Sequence, residues 1–144
     1  MGKSLSLIVT EEIPSLREDN MSDKHTHKLI GVLSSLLIEG MKLSTEDGVK
    51  DGKEIFGRLA SSAAGGLLGS LAPDKFEPAD SPHHRSLCHS WIALSGSVYV
   101  TKKTITNMNN VNPYIAAFSR GASVGYTSHL VLDAKTVKGL PVIK

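Results

Sequence analysis

Lys53-Glu54-Ile55-Phe56-Gly57-Arg58-Leu59-Ala60-Ser61-Ser62-Ala63-Ala64-Gly65-Gly66-Leu67-Leu68-Gly69-Ser70-Leu71 is the stretch on which the fold turns. Phe56, Leu59, Ala63, Leu67 and Leu71 recur at helical spacing, so residues 53–71 are expected to form a helix with an apolar stripe. A second face carries Ser61, Gly65 and Gly69, spaced by four. An interior glycine costs about 1 kcal/mol relative to alanine, so several on one face require a compensating gain, most simply backbone-close packing on a neighbouring helix. The helix is therefore expected at the centre of an all-α bundle. Its charge-free run, residues 59–72, is 14 residues long, short of the roughly 20 needed to span a bilayer.

Downstream, Pro73 forces Ala72 out of helical geometry, so the helix is expected to end at about Leu71, and residues 73–81, with Pro78, read as a loop bearing Asp74, Glu77 and Asp80. Ser81 and Pro82 form a cap and first-turn proline signal, so helix three is expected from there through Trp91 to about Val100, with His83, His84 and Arg85 in its first turn. Residues 102–111 read as a loop. Asn112 and Pro113 repeat the signal, and helix four is expected from Tyr114 to about Ala134. Upstream, residues 44–53 form a charged connector with Gly48 and Gly52. Helix one is expected to start at a Ser22 cap and to run to about Met41 on Leu29, Val32, Leu33, Leu36 and Leu37. The reading is an all-α, single-domain bundle of about four main helices over residues 22–144, preceded by an irregular or short-strand N-terminal arm, residues 1–21.

The chain of 144 residues is near the commonest size for one domain, which argues against separate cofactor and substrate lobes. With 40% hydrophobic and 21% charged residues and a mean hydropathy of -0.05, it is neither a disordered chain nor a lipid-embedded one. The net charge is only +2, and a nucleic-acid surface is weakly supported. Cys88 is the single cysteine, so no internal disulfide and no all-cysteine zinc site can form, and a reducing compartment fits. Residues 1–10 lack the long hydrophobic region and cleavage site of a secretory signal. The sequence thus predicts no transmembrane segment and a cytoplasmic location.

Chemistry-bearing residues concentrate in residues 74–90 and 128–133. His129 and Asp133 are four apart on a predicted helix and project from one face, where both can approach one ion. Stepping back from His129 along that face reaches Gly125, Ala122, Phe118 and Ile115, the side a bundle buries. A charged Asp133 there would cost several kcal/mol unless paired or metal-bound. A simple His–Asp hydrogen bond, or an Asp133 in water at the frayed helix end, would serve as well. In the other segment, His84 and His89 are five apart, about 140° around a regular helix, so they would flank a site instead of sharing one centre. Arg85 near a positive helix start calls for an anion or a carboxylate such as Glu77. His25 and His27 open helix one: His25 falls with Leu29 and Val32, His27 with Gly31 and Ser34. Cys88 reads as a small core residue. Ala64-Gly65-Gly66 lies inside a helix and is no nucleotide loop.

The order Pro73-Asp74-x-x-Glu77-Pro78, His84-Arg85, His89-Ser90, Gly125-Tyr126-x-Ser128-His129-Leu130-x-Leu132-Asp133-Ala134 and Gly139-Leu140-Pro141 resembles the family of LexA-binding, inner-membrane-associated metal-dependent hydrolases. That family is grouped with zinc-dependent phospholipase C and the single-strand-specific zinc nucleases, and the likeness covers about residues 59–144, with an echo in Thr26-His27-Lys28-Leu29-Ile30-Gly31. The resemblance implies an all-helical, zinc-dependent phospholipase C-like fold. It implies metal ligation by some of Asp74, His84, His89, His129 and Asp133, with His27 a further candidate. Glu77 and Arg85 fall in the same motif, and on a hydrolase reading they are the catalytic candidates, Glu77 to orient water and Arg85 to offset phosphate charge. After Asp133 the chain has no further His or Glu, so one or two metals are expected, not three.

The leading expectation is a metal-dependent hydrolase acting on a small-molecule or nucleic-acid phosphoester, with zinc first among the metals and Mn, Fe or Ni also suited to mixed His and carboxylate donors. One alternative is a non-catalytic module stapled by the metal and binding a protein partner. Another is a plain bundle that forms a homo-oligomer through its small-residue faces.

Overall fold

The computed structural model describes residues 15–48, 51–77, 87–135 and 140, with side chains from His25 onward. Four helices follow one another: α1 (Ser15–Thr45), α2 (Gly52–Phe76), α3 (Trp91–Asn107) and α4 (Pro113–Ala134). The all-α expectation holds. Residues 1–14, where the strand or arm was expected to begin, and residues 78–86, which contain His83, His84 and Arg85, lie outside the described residues.

Three boundaries differ from the sequence reading. The first helix starts at Ser15, not Ser22. The second runs through Pro73 to Phe76 instead of stopping at about Leu71. Pro73 removes one hydrogen bond and disfavours helix at its neighbour, but it is fully buried, and the packing of that last turn outweighs the loss. The third starts at Trp91. Its cap is Ser90, whose Oγ accepts from Ala93 N at 3.1 Å and donates to Leu87 O at 2.8 Å. His89 therefore sits in the turn before α3, not in its second helical turn, and residues 102–107 are helix, not loop. The start of α4 is as expected, with Asn112 Oδ1 accepting from Tyr114 N at 3.0 Å and Ile115 N at 3.4 Å, and Pro113 in the first turn.

Helix α2 is central and packs on both α1 and α4. Its contact with α4 is backbone on backbone: a Cβ at Gly65 would collide with the Phe118 carbonyl, and one at Gly69 with that of Ala122. From the other side, Gly121 and Gly125 meet the carbonyls of Ser62 and Gly66. The predicted compensation for the glycines is thus present.

What the bundle buries is the reverse of the apolar-stripe expectation. Leu29, Leu33, Leu37 and Met41 of α1 are all exposed, Leu37 by 65%, and so are Phe56 at 75% and Leu67 of α2. The inner faces repeat every four residues as His27, Gly31, Ser35 and Glu39 on α1, and as Arg58, Ser62, Gly66 and Ser70 on α2. Among the described residues, twelve polar or charged side chains are buried, against the hydrophobic residues Ala116, Ala117, Val124, Leu130 and Leu140. Helices this close leave room for Gly and Ser but not for Leu at their crossings, so Leu29, Leu33, Leu37, Phe56 and Leu67 lie outside them. The hydrophobic stripe was read as the core because burial of apolar area normally dominates folding in water.

Polar pairing satisfies the interior away from the histidine pole. Glu39, 0% exposed, accepts from Arg58 Nε at 2.9 Å and from Arg120 Nε and Nη2 at 2.8 and 2.9 Å. Arg58 also donates from Nη1 to Glu46 Oε2 at 2.7 Å. Across α3 and α4, Thr101 pairs with Thr127 and Thr104 with Ser123, each at 3.0 Å. The Arg–Glu–Arg group joins the C-terminal half of α1 to the N-terminal halves of α2 and α4, so α1 runs antiparallel to both. The opposite ends of these three helices then share one pole of the bundle.

Candidate metal centre

At that pole the inner stripes end in His27 on α1, Asp74 on α2, and His129 with Asp133 on α4. His89 joins them from the turn before α3. His129 Nε2 lies 3.2 Å from Asp133 Oδ2 and 3.5 Å from Asp74 Oδ1, while His89 Nε2 lies 3.5 and 3.4 Å from the same two oxygens. These four atoms thus alternate nitrogen and oxygen around a closed ring of contacts. Ligand atoms of two overlapping trios, His27–His129–Asp133 and Asp74–His89–His129, each lie within 4.8 Å of one another, close enough to share an ion. The other Asp133 oxygen, Oδ1, is 3.6 Å from His27 Nε2, and the His27 ring lies against that of His129 with centroids 4.2 Å apart.

Two rings have their outward nitrogens already committed. His129 Nδ1 donates to the main-chain carbonyl of Ser70 at 2.6 Å, and His89 Nδ1 donates to Glu77 Oε2 at 3.3 Å. Each Nε2 is left pointing into the ring of carboxylates. His129 Nε2 is buried and makes no aligned hydrogen bond, despite its nearness to Asp133. In the neutral imidazole that atom is a lone pair facing two anionic oxygens. Such an arrangement is repulsive unless a proton or a metal cation stands there. The donor set and this orphaned atom fit a divalent cation.

The protonation equilibria show the same pull. Burial works against a charged His129, yet the Asp133 and Asp74 carboxylates overcome it and push its pKa up to about 9. Asp74 is held well below the usual carboxylate range, chiefly by His129 and then by His89. Burial opposes ionisation of Asp133, but His129 beside it wins and keeps its pKa low as well. A site that binds a proton this tightly is a site built for positive charge.

Glu77 stands behind His89, not in the ring. Its Oε1 accepts from the amides of Leu87 and Cys88 at 2.7 and 2.9 Å, and its Oε2 holds the imidazole. Tyr126 Oη donates to the Cys88 carbonyl at 3.1 Å and fixes the same turn from α4. Burial and the Glu77 charge push the Cys88 thiol pKa up, away from a reactive thiolate.

Of the sequence-derived candidates, the structure brings together His27, Asp74, His89, His129 and Asp133, with Glu77 adjoining. His84 and Arg85 lie outside the described residues, and His25 is exposed. The 140° separation argued for His84 and His89 does not apply, since His89 is not helical. Sequence reasoning missed Ser70, whose carbonyl sets the His129 tautomer, and the Glu39–Arg58–Arg120 group. The fourfold repeat of polar and small residues on α1 and α2 was the available signal for both.

A family model described as YdjM inner membrane protein matches residues 21–143, and the chain belongs to that family. No curated protein and no solved structure matches it. The membership corrects the cytoplasmic expectation, because the family is one of inner membrane proteins. The expectation rested on the lack of a bilayer-length apolar run and of a secretory signal, and neither excludes association with a membrane. Among the described residues, no helix is long and apolar enough to cross a membrane.

Proposed function

We propose that this member of the YdjM inner membrane protein family is a metal-dependent hydrolase of a phosphoester, held at the membrane by its outward apolar faces. The observation that carries the reading is the buried Nε2 of His129, which makes no aligned hydrogen bond although it stands in a ring of two carboxylates and a second imidazole. Asp74, His89, His129 and Asp133 would hold the ion, and His27 stands at the free oxygen of Asp133. Zinc suits the set best, and Mn, Fe or Ni also accept mixed imidazole and carboxylate donors. A divalent cation bound there would supply Lewis acidity, acidifying water and polarising a phosphoryl oxygen.

The chain's own groups prepare that chemistry. The Ser70 carbonyl and the Glu77 carboxylate take the Nδ1 protons of His129 and His89, fixing both tautomers and both ring orientations. Burial of His27, His89 and His129 keeps water from competing on the inner side. Asp74, with its side chain 42% exposed, is the donor nearest solvent and marks the approach side.

The metal-stapled module binding a protein partner is favoured by one observation: four protein donors can close a structural shell. Hydrolysis of aryl phosphate mono- and diesters by the purified protein, with and without chelator, separates the two. Turnover that chelation abolishes and added metal restores is the outcome expected of the hydrolase. Melting on chelation with no turnover in any metal is the outcome expected of the staple.

A further inference from the structure

A cavity of about 290 Å³ opens on the donor cluster between α1 and α2, lined by His27, Lys28, Ser70, Leu71, Asp74 and Lys75. Its two donor residues are each followed at once by a lysine, Lys28 after His27 and Lys75 after Asp74. Among the described residues neither lysine makes an ion pair. Lys75 is exposed and Lys28 partly so.

Charge bookkeeping gives these lysines a task. Asp74 and Asp133 together carry about the charge that one divalent cation cancels, and Glu77 behind His89 adds a further negative charge at the same pole. An incoming phosphoester, itself an anion, would meet uncompensated negative charge unless cations stood on its path. Lys28 and Lys75 are the cations lining the cavity. An ammonium group donates charge-assisted hydrogen bonds to phosphate oxygens from a flexible stem, and so tolerates varied substituents on the ester.

We propose that this cavity is the entrance to the metal centre and that Lys28 and Lys75 are its substrate-specificity residues, holding the phosphate of an anionic phosphoester. The proposal rests on the hydrolase reading. The phosphate can belong to a lipid headgroup or to a soluble ester, since the recognising chemistry is the same.

The test uses the full chain, purified in detergent and loaded with one equivalent of metal, and inorganic phosphate as the titrant. Lys28→Gln and Lys75→Gln should each weaken phosphate binding about tenfold, and the double variant about a hundredfold, with helical circular dichroism and metal content unchanged. Wild-type phosphate affinity in the double variant, or no phosphate binding by the wild type, would overturn the proposal. Turnover measured in parallel keeps the two readings apart. Lysine-dependent phosphate binding without hydrolysis defeats the hydrolase reading alone, whereas hydrolysis with an unchanged KM in the double variant defeats the entrance alone. Tighter displacement of phosphate by short-chain phosphatidic acid assigns the ligand to a lipid headgroup, and tighter displacement by phenyl phosphate assigns it to a soluble ester.

Discussion

His129 donates its Nδ1 proton to the Ser70 carbonyl at 2.6 Å, and by that bond its Nε2 is turned toward Asp133 Oδ2, 3.2 Å away. One main-chain oxygen on α2 thereby sets the tautomer of an imidazole on α4. The metal-free protein answers the resulting field with a proton.

That proton makes the stability of metal-free protein depend on pH in a definite direction. The folded-state pKa of His129, about 9, lies above its ordinary 6.5, so its stabilisation is complete below about 6.5 and is lost as pH rises through 9. Asp74 and Asp133 titrate below their ordinary 3.8, so their contribution is present above that value and is lost as pH falls through their lowered folded values. Denaturant melts in excess chelator should show greatest stability between about pH 4 and 6.5 and a decline toward pH 9. A midpoint that rises from pH 6.5 to 9 would contradict the assigned field at His129.

Glu77→Gln keeps the shape of the side chain and removes the charge that orients His89. Outer groups of this kind typically cost 10–100-fold in metal affinity. Titration against a competing chelator should show such a weakening with the helical signal intact, and wild-type affinity would mean that Glu77 does not position the ring.

Glu39→Ala leaves the buried guanidinium groups of Arg58 and Arg120 without their shared carboxylate. Removing one partner of a buried ion group costs about 3–5 kcal/mol. Denaturant unfolding of the variant should show a loss of that order, and a loss under about 1 kcal/mol would place Glu39 nearer water than the structure does.

Gly69→Ala and Gly96→Ala test the α2–α4 crossing by contrast. A Cβ at Gly69 meets the Ala122 backbone, whereas one at Gly96 meets nothing within 4 Å. The first should lose about 1–3 kcal/mol through overpacking. The second should be neutral or gain up to about 1 kcal/mol of helix propensity. Equal effects in thermal melts would argue against backbone contact at Gly69.

Much of this was legible in the chain because it is local. The Asn112-Pro113 cap, the small face of Gly65 and Gly69, and the spacing of His129 and Asp133 depend on neighbours within a turn or two of helix. What sequence reading missed depends on distant partners. Glu39 finds Arg58 at 19 residues and Arg120 at 81 residues along the chain, and the fourfold polar repeat that marks the inner faces of α1 and α2 does not say which residues pair. The helical course through Pro73 depends on burial against other helices, which outweighs local propensity. The outward placement of Leu29 and Leu37, with His27 and Glu39 facing in, likewise depends on how closely α1 packs on α2 and not on a pattern within α1 alone.

The most direct test of the central claim is elemental analysis of protein purified without added metal, wild type beside His129→Ala and the double variant with Asp133→Ala. The account expects a divalent transition metal, zinc foremost, at one or two equivalents in the wild type, with loss of most of it in the single variant and all of it in the double. Metal-free wild type that takes up none on titration, or stoichiometric metal retained in the double variant, would contradict it.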